Sequence, residues 1–162
     1  MSLSDRRTLL LTFAALPLAA ACGFSPAYAP GGAGQALRGQ VRAADPVRSR
    51  DFDFVAAIED RLGRPSAQRF DLIYSITTSE RGAARIPGLG DSRITLFGTV
   101  TYQLTDSATG DVVTEGSLRN FTNYSTTDTQ LATLRAKEDA EARLMRILAD
   151  QVVARLIAAL SE

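Results

Sequence analysis

Residues 94–104 read Ile94-Thr95-Leu96-Phe97-Gly98-Thr99-Val100-Thr101-Tyr102-Gln103-Leu104. Ile94, Leu96, Val100, Tyr102 and Leu104 alternate with Thr95, Thr99, Thr101 and Gln103, and Arg93 extends the polar set by one position. A period of two sends successive side chains to opposite faces of an extended chain, so this stretch reads as a long strand with one buried and one solvated side. Phe97 interrupts the pattern by placing an aromatic ring on the polar side.

Downstream, Thr105-Asp106-Ser107-Ala108-Thr109-Gly110-Asp111 carries turn chemistry, and Val112 to Tyr124 is again rich in threonine and β-branched residues. So short a connection predicts antiparallel pairing of the two strands. Upstream, Phe70, Leu72, Tyr74 and Ile76 give another period of two, and Arg81 to Asp91, with three glycines and a proline, reads as the loop between the second and third strands. Before it, Phe54, Val55, Ile58 and Leu62 follow helical spacing. Asp51 and Asp53 lie in the first turn of this helix, and Gly63 and Pro65 follow its end. Leu37 to Ala43 alternates weakly as a first strand, or forms none. From Thr127, in the capping-box form Thr127-Asp128-Thr129-Gln130, no glycine or proline interrupts a helix running to Leu160. Its length, near 50 Å at about 1.5 Å per residue, exceeds what a short sheet covers, so its first turns are expected to project or bend. The order strand, short helix, three strands, long helix implies an α+β two-layer sandwich. Two helices, one short and one long and C-terminal, pack on a four-stranded mixed sheet whose first two strands are parallel.

The N-terminus has a different purpose. Met1 to Cys22 carries Arg6 and Arg7, then an apolar run from Leu9 to Ala21 without a charge, then Cys22. The run is too short to span a bilayer, which takes about 20 residues, and its positive end precedes it, as in a secretory signal peptide. Leu18-Ala19-Ala20-Ala21-Cys22-Gly23 resembles the lipobox of bacterial lipoproteins, where cleavage leaves the cysteine first and acylated. Leu18 stands one place further from the cysteine than that pattern prefers. The expected organisation is a signal peptide over 1–21, a lipidated flexible tether over 22–36, where Ser25 to Ala36 is rich in proline, glycine and alanine, and a single domain over 37–162. Several acyl chains hold a protein firmly where one holds it marginally, and Gly23 after the cysteine implies sorting to the outer membrane. Maturation removes Asp5, Arg6 and Arg7, leaving 16 basic and 17 acidic residues of the 18 of each in the full chain.

Composition excludes several function classes. With no histidine and one cysteine in 162 residues, the chain lacks a serine–histidine or cysteine–histidine pair, an imidazole metal ligand, a zinc ribbon, an iron–sulfur cluster and an internal disulfide. Zero formal net charge gives no global reason for nucleic acid binding. Carboxylates remain, yet Asp51 and Asp53 read as first-turn residues favoured by the helix dipole, and Glu138, Asp139 and Glu141 as a solvated face beside Arg135, Lys137 and Arg143. The glycines of 82–90 lack the lysine and hydroxyl spacing of a phosphate loop. No catalytic residue, metal or cofactor is therefore expected.

Of the 18 basic residues, 17 are arginine, whose planar guanidinium suits phosphate. Arg81, Arg85 and Arg93 cluster around the glycine-rich segment, opposed only by Glu80 and Asp91, and are the candidates for contact with an anionic amphiphile. Phe97, Phe121 and Tyr124 among threonine, asparagine and arginine suggest either an interaction surface or packing under the long helix.

Cys22-Gly23-Phe24-Ser25-Pro26-Ala27-Tyr28, Ser92 to Leu104 followed by Thr109-Gly110, and Ala149-Asp150-Gln151-Val152 with Arg155-Leu156 resemble, in this order and spacing, the lipopolysaccharide-assembly lipoprotein family LptE, in its alphaproteobacterial branch. The resemblance implies a non-enzymatic subunit of the outer-membrane lipopolysaccharide translocon, lipid-anchored on the periplasmic side. Such a subunit plugs the large β-barrel protein LptD, assists its assembly and contacts lipopolysaccharide. It also implies a two-layer sandwich of two helices on a four-stranded sheet, and lipopolysaccharide contact by basic residues between the second and third strands, the region of Arg81 and Arg85. A lumen-seated plug needs a polar surface, which the threonine, asparagine, glutamine and arginine faces of the third and fourth strands supply. The competing readings are a lipoprotein adaptor or chaperone for another envelope protein, and a carboxylate-dependent periplasmic hydrolase.

Overall fold

A computed structural model describes residues 31–86, 90–126 and 129–161. The expected signal peptide, Cys22 and most of the tether lie outside the described residues. The elements are α1 (Ala33–Leu37), β1 (Val41–Ala43), α2 (Ser49–Leu62), β2 (Phe70–Ile86), β3 (Gly90–Asp106), β4 (Val112–Ser125) and α3 (Gln130–Ala159). The four strands form one sheet in the order β1-β2-β3-β4. β1 runs parallel to β2, and the other neighbours are antiparallel. The expected α+β sandwich is therefore the architecture, with a third, five-residue helix added at the front.

The core lies between the helices and one face of this sheet. Leu72, Ile76, Leu96, Val100, Tyr102 and Leu104 meet Phe54, Ile58 and Leu62 of α2 and Leu144, Met145, Leu148, Val152 and Leu156 of α3. Each such side chain, fully buried, contributes on the order of 1.5–3 kcal/mol. Burial on α3 begins only at Ala140, and Leu131 and Leu134 before it remain exposed. At Gly98 the strand backbone comes so close to α3 that an added Cβ would lie 2.9 Å from Leu144 Cδ2. The glycine in the middle of the deciding stretch is therefore a contact point between the layers.

Local chemistry sets the element ends. The Asp51 carboxylate accepts the backbone N–H groups of Arg48 at 2.9 Å and Val47 at 3.3 Å, closing the start of α2 two residues earlier than its apolar spacing indicated. Gly63 ends α2 at φ +79°, a conformation that side chains with a Cβ rarely adopt. At the β3–β4 turn, Asp106 accepts the N–H of Ala108 at 2.9 Å, which, aided by Arg69, holds its carboxyl below the usual range.

Three expectations are corrected. Most of the segment from Arg81 to Asp91 is strand rather than loop: β2 continues to Ile86 and β3 starts at Gly90, so Arg81–Ile86 and Gly90–Asp91 belong to the arms of a long hairpin, and residues 87–89 lie outside the described residues. Glycine-rich composition favours turns, but the ladder pairs Gly82 with Ile94, Ala84 with Arg93 and Arg85 with Asp91. It absorbs the irregularity as register shifts around Ala84. Leu37 belongs to α1 and not to a strand, and Gly34 and Leu37 are buried, so ordered structure begins within the segment read as tether. α3 begins at Gln130, and the Thr127 and Asp128 of the expected capping box lie outside the described residues.

Candidate ligand-binding face

With both long helices on one side, the opposite face of β2, β3 and β4 carries no covering element among the described residues. Register arranges it in rows. Arg81, Thr95 and Asn123 stand opposite one another; next come Ser79, Phe97 and Phe121; then Thr77, Thr99 and Arg119; then Ser75, Thr101 and Ser117; and finally Ile73, Gln103 and Glu115. Side-chain contacts confirm the shared face. Thr95 Oγ1 donates to Asn123 Oδ1 at 2.7 Å, and Gln103 Nε2 donates to Glu115 Oε2 at 3.1 Å. The face is thus mostly hydroxyl and amide, with basic and aromatic groups toward the hairpin end. At the opposite end a shallow groove of about 520 Å³ is lined by residues that include Ile73, Ser75, Thr101, Gln103 and Glu115.

The structure brings Arg81 and Arg93 to this face, both exposed, as diagonal neighbours on adjacent strands. Arg93 also borders a depression of about 400 Å³ at the β4 edge with Asn123, Ser125, Asp139 and Arg143, where Arg143 donates to the Asn123 carbonyl at 3.2 Å. Arg85 pairs with Asp91 in the ladder, and its side chain lies outside the described part.

Glu80 does not oppose the cluster as expected. Strand alternation turns it to the helix side, where it accepts a hydrogen bond from the Tyr124 hydroxyl at 3.3 Å and pairs with Lys137 Nζ of α3 at 2.7 Å. The bond to Glu80 raises the Lys137 pKa, and burial followed by the Glu80 charge raises that of Tyr124. Tyr124 accordingly leaves the aromatic surface group and packs beneath α3.

Arg42, Arg61, Arg64, Arg69, Arg135, Lys137 and Arg143 each pair with a carboxylate. None of these pairs involves Arg81, Arg93 or Arg119, so the positive charge of the open face is uncompensated among the described residues. Arg119 was missed in sequence because its own strand marks it only weakly. Cross-strand register sets its guanidinium 5.0 Å from the Phe97 ring centroid. The Phe97 and Phe121 rings lie 6.0 Å apart, tilted by 49°, with Phe121 54% exposed. The only local signal was the Arg119–Phe121 spacing of two, which puts both on one face.

The acidic residues weighed for catalysis have structural partners. Asp51 caps α2, Glu138 pairs with Arg135, and Asp139 with Arg143. Among the described residues no group of three or more acidic, cysteine or histidine side chains could hold a metal ion, and no helix is long and apolar enough to cross a membrane.

A model of the LptE lipopolysaccharide-assembly family matches residues 37–156. Among solved structures, a candidate lipoprotein of Caulobacter crescentus CB15 superposes with a TM-score of 0.66 at 18% identity, covering 79% of this chain and 96% of that one. The rare lipoprotein B of Shewanella oneidensis gives 0.57 at 12% identity over 75% and 93% of the two chains. A minor lipoprotein of Acinetobacter baumannii gives 0.54 at 14% identity over 74% and 89%. At these identities the likeness is one of fold. Comparison with curated protein sequences found no match.

Proposed function

The chain belongs to the LptE lipopolysaccharide-assembly family, and from that premise we propose that it is the lipid-anchored plug and assembly subunit of the outer-membrane lipopolysaccharide translocon. In this reading residues 1–21 are removed as a signal peptide. Cys22 is acylated and holds the protein to the periplasmic side of the outer membrane. The residues from Gly23 to the start of α1 form the tether, and the domain sits within the LptD barrel. The protein is not an enzyme and needs no cofactor; its task is to accept and orient an anionic lipid.

The observation that carries this reading is the uncompensated arginine pair at one end of an uncovered polar sheet face. Lipopolysaccharide presents phosphates, which guanidinium groups bind through paired hydrogen bonds, and Arg81 and Arg93 lie where the phosphates would be read, with Arg85 beside them on β2. The hydroxyl and amide rows suit the water-lined wall of a barrel lumen. A sandwich covered on both faces would offer neither surface.

Two experiments test it. Extraction of native membranes in mild detergent should recover the chain with a large outer-membrane β-barrel protein; recovery alone or with a soluble partner defeats the plug assignment and favours an adaptor or chaperone. Arg81→Glu with Arg93→Glu should weaken lipopolysaccharide binding and flatten its salt dependence while the melting temperature holds, and unchanged binding refutes the assignment of these residues. Separately, Cys22→Ser should shift the protein out of the membrane fraction.

A further inference from the structure

Phe97 and Phe121 sit four residues along β3 from Arg93 and Arg119 six, roughly 13 and 20 Å at about 3.3 Å per residue, and no phosphate contact at Arg81 and Arg93 would use them. We propose that these three side chains form a second subsite, which takes a sugar ring of a phosphorylated glycan, so that the open face reads the saccharide part of its ligand as well as the phosphates. The inference rests on the reading above, which supplies lipopolysaccharide as the ligand, and adds a class of recognition to it.

The argument starts from what these groups lack. Phe121 is 54% exposed on a strand whose outward residues from Glu115 to Ser125, namely Glu115, Ser117, Arg119, Asn123 and Ser125, are otherwise polar. Its ring and that of Phe97 are tilted toward each other at 6.0 Å, which leaves apolar ring surface open to solvent. Arg119 lies against Phe97 and pairs with no carboxylate among the described residues, so its donors are open to a ligand. Around the rings stand hydroxyls from two strands: Ser79 in the same row, and Thr77 and Thr99 in the next.

An aromatic ring against the C–H face of a sugar, with a guanidinium and hydroxyls bonding its edge, is a complementary pairing of apolar face and polar rim. Charge complementarity selects a phosphorylated glycan over a neutral one. Three guanidiniums on this face pair with no carboxylate among the described residues, and its described carboxylates stand at the far end, Glu115 bound to Gln103 and Asp71 to Gln68 and Ser107. The spacing between the arginine pair and the aromatic pair matches a ligand that extends over a few sugar rings.

The test uses the full lipidated chain in mild detergent and, as probe, the deacylated phosphorylated oligosaccharide prepared from lipopolysaccharide, with and without phosphatase treatment. Arg119→Gln and Phe121→Ala should each weaken binding of the oligosaccharide by about tenfold, the equivalent of about 1.4 kcal/mol. Their melting temperatures should stay at the wild-type value. Phe121→Leu, which keeps the apolar bulk without the flat ring, guards against a folding failure and should still lose affinity. Saturation-transfer signals from sugar C–H groups should fall in the phenylalanine variants, and Phe121→Ala should also weaken the phosphatase-treated probe. If these variants bind the oligosaccharide as wild type does while Arg81→Glu with Arg93→Glu has lost lipopolysaccharide, the subsite is overturned and the proposed function stands. If the phenylalanine variants instead lose co-purification with the barrel and keep oligosaccharide affinity, the patch is a protein contact and the subsite is again overturned. Absence of oligosaccharide binding by the wild-type chain overturns it as well.

Discussion

Adding one methyl group at Gly98 tests which face of the sheet is packed and which is free. The Cβ of Gly98→Ala would lie 2.9 Å from Leu144 Cδ2, 3.1 Å from Leu148 Cδ1 and 3.2 Å from Leu144 Cγ. Carbon pairs settle near 3.5–4.0 Å, so the closest approach is short by roughly 0.6 Å or more. Leu144 and Leu148 are both fully buried, so neither can swing into solvent to make room. Overpacking of this kind costs about 1–3 kcal/mol, and replacing glycine inside a strand returns about 0.5–1 kcal/mol. The expected net is therefore a loss of up to about 2.5 kcal/mol, centred near about 1.3 kcal/mol. At about 4 °C per kcal/mol, the melting temperature should fall by roughly 5 °C. The neighbouring Thr99 points the other way, so Thr99→Val should stay within about 0.5 kcal/mol of wild type. Thermal unfolding followed by circular dichroism reads both variants. The layer assignment is refuted if Gly98→Ala melts at or above wild type, or if Thr99→Val costs as much. Below its melting temperature Gly98→Ala should bind lipopolysaccharide unchanged, because the perturbed face is not the one assigned to the ligand.

Thr122 Oγ1 donates to the Ala140 carbonyl at 3.0 Å in a buried setting, tying β4 to the point where α3 first enters the core. Thr122→Val should lower the urea midpoint by the equivalent of about 1 kcal/mol while Thr122→Ser retains most of it, and equal losses would show that the hydroxyl is immaterial. The Tyr74 hydroxyl is buried without a hydrogen-bond partner among the described residues, and burial, with the charges of Asp51 and Asp45, pushes its pKa up to about 12. Tyr74→Phe keeps the ring 4.8 Å from Phe54 and removes the unpaired group, so stability should hold or rise; a loss beyond about 1 kcal/mol would mean the hydroxyl has a partner after all. Lys137 is held above its ordinary 10.5 by Glu80. A lysine whose pKa is higher folded than unfolded contributes stability that is fully present below the unfolded value and lost as pH rises through the folded one. Wild type should therefore weaken faster than Lys137→Met above about pH 10, with Tyr124 adding a residual alkaline loss in both, and parallel pH curves would remove the Glu80–Lys137 contribution.

Periodicity carried the fold because the two layers are built from patterns with different repeats. Ile94, Leu96, Val100, Tyr102 and Leu104 keep a strict period of two, and Leu144, Leu148, Val152 and Leu156 a period of four, so each set identifies its buried face without knowledge of the other. Composition failed at the hairpin for a physical reason. Gly82, Ala83 and Ala84 read as loop because their local preferences are weak, but a ladder already running through Thr77, Thr78 and Ser79 continues at small cost where no side chain objects. Arginine content pointed to Arg81 and Arg93, because strand alternation and closeness in sequence place them together. It could not separate Glu80 from them, since one step along a strand reverses the face, and the acidic neighbour in the sequence faces α3 in the structure. Arg119 was illegible for the converse reason. It is 26 residues from Arg93 in the chain and reaches the same face only through the β3–β4 register, which turn composition suggests but does not number. A surface made of three strands is a property of register, and its charge is compensated or left open by partners that no single strand contains. That is why the arginine pair could be named from the sequence, whereas the stacking of Arg119 on Phe97, with no carboxylate paired to Arg119 among the described residues, became visible only once the rows were aligned.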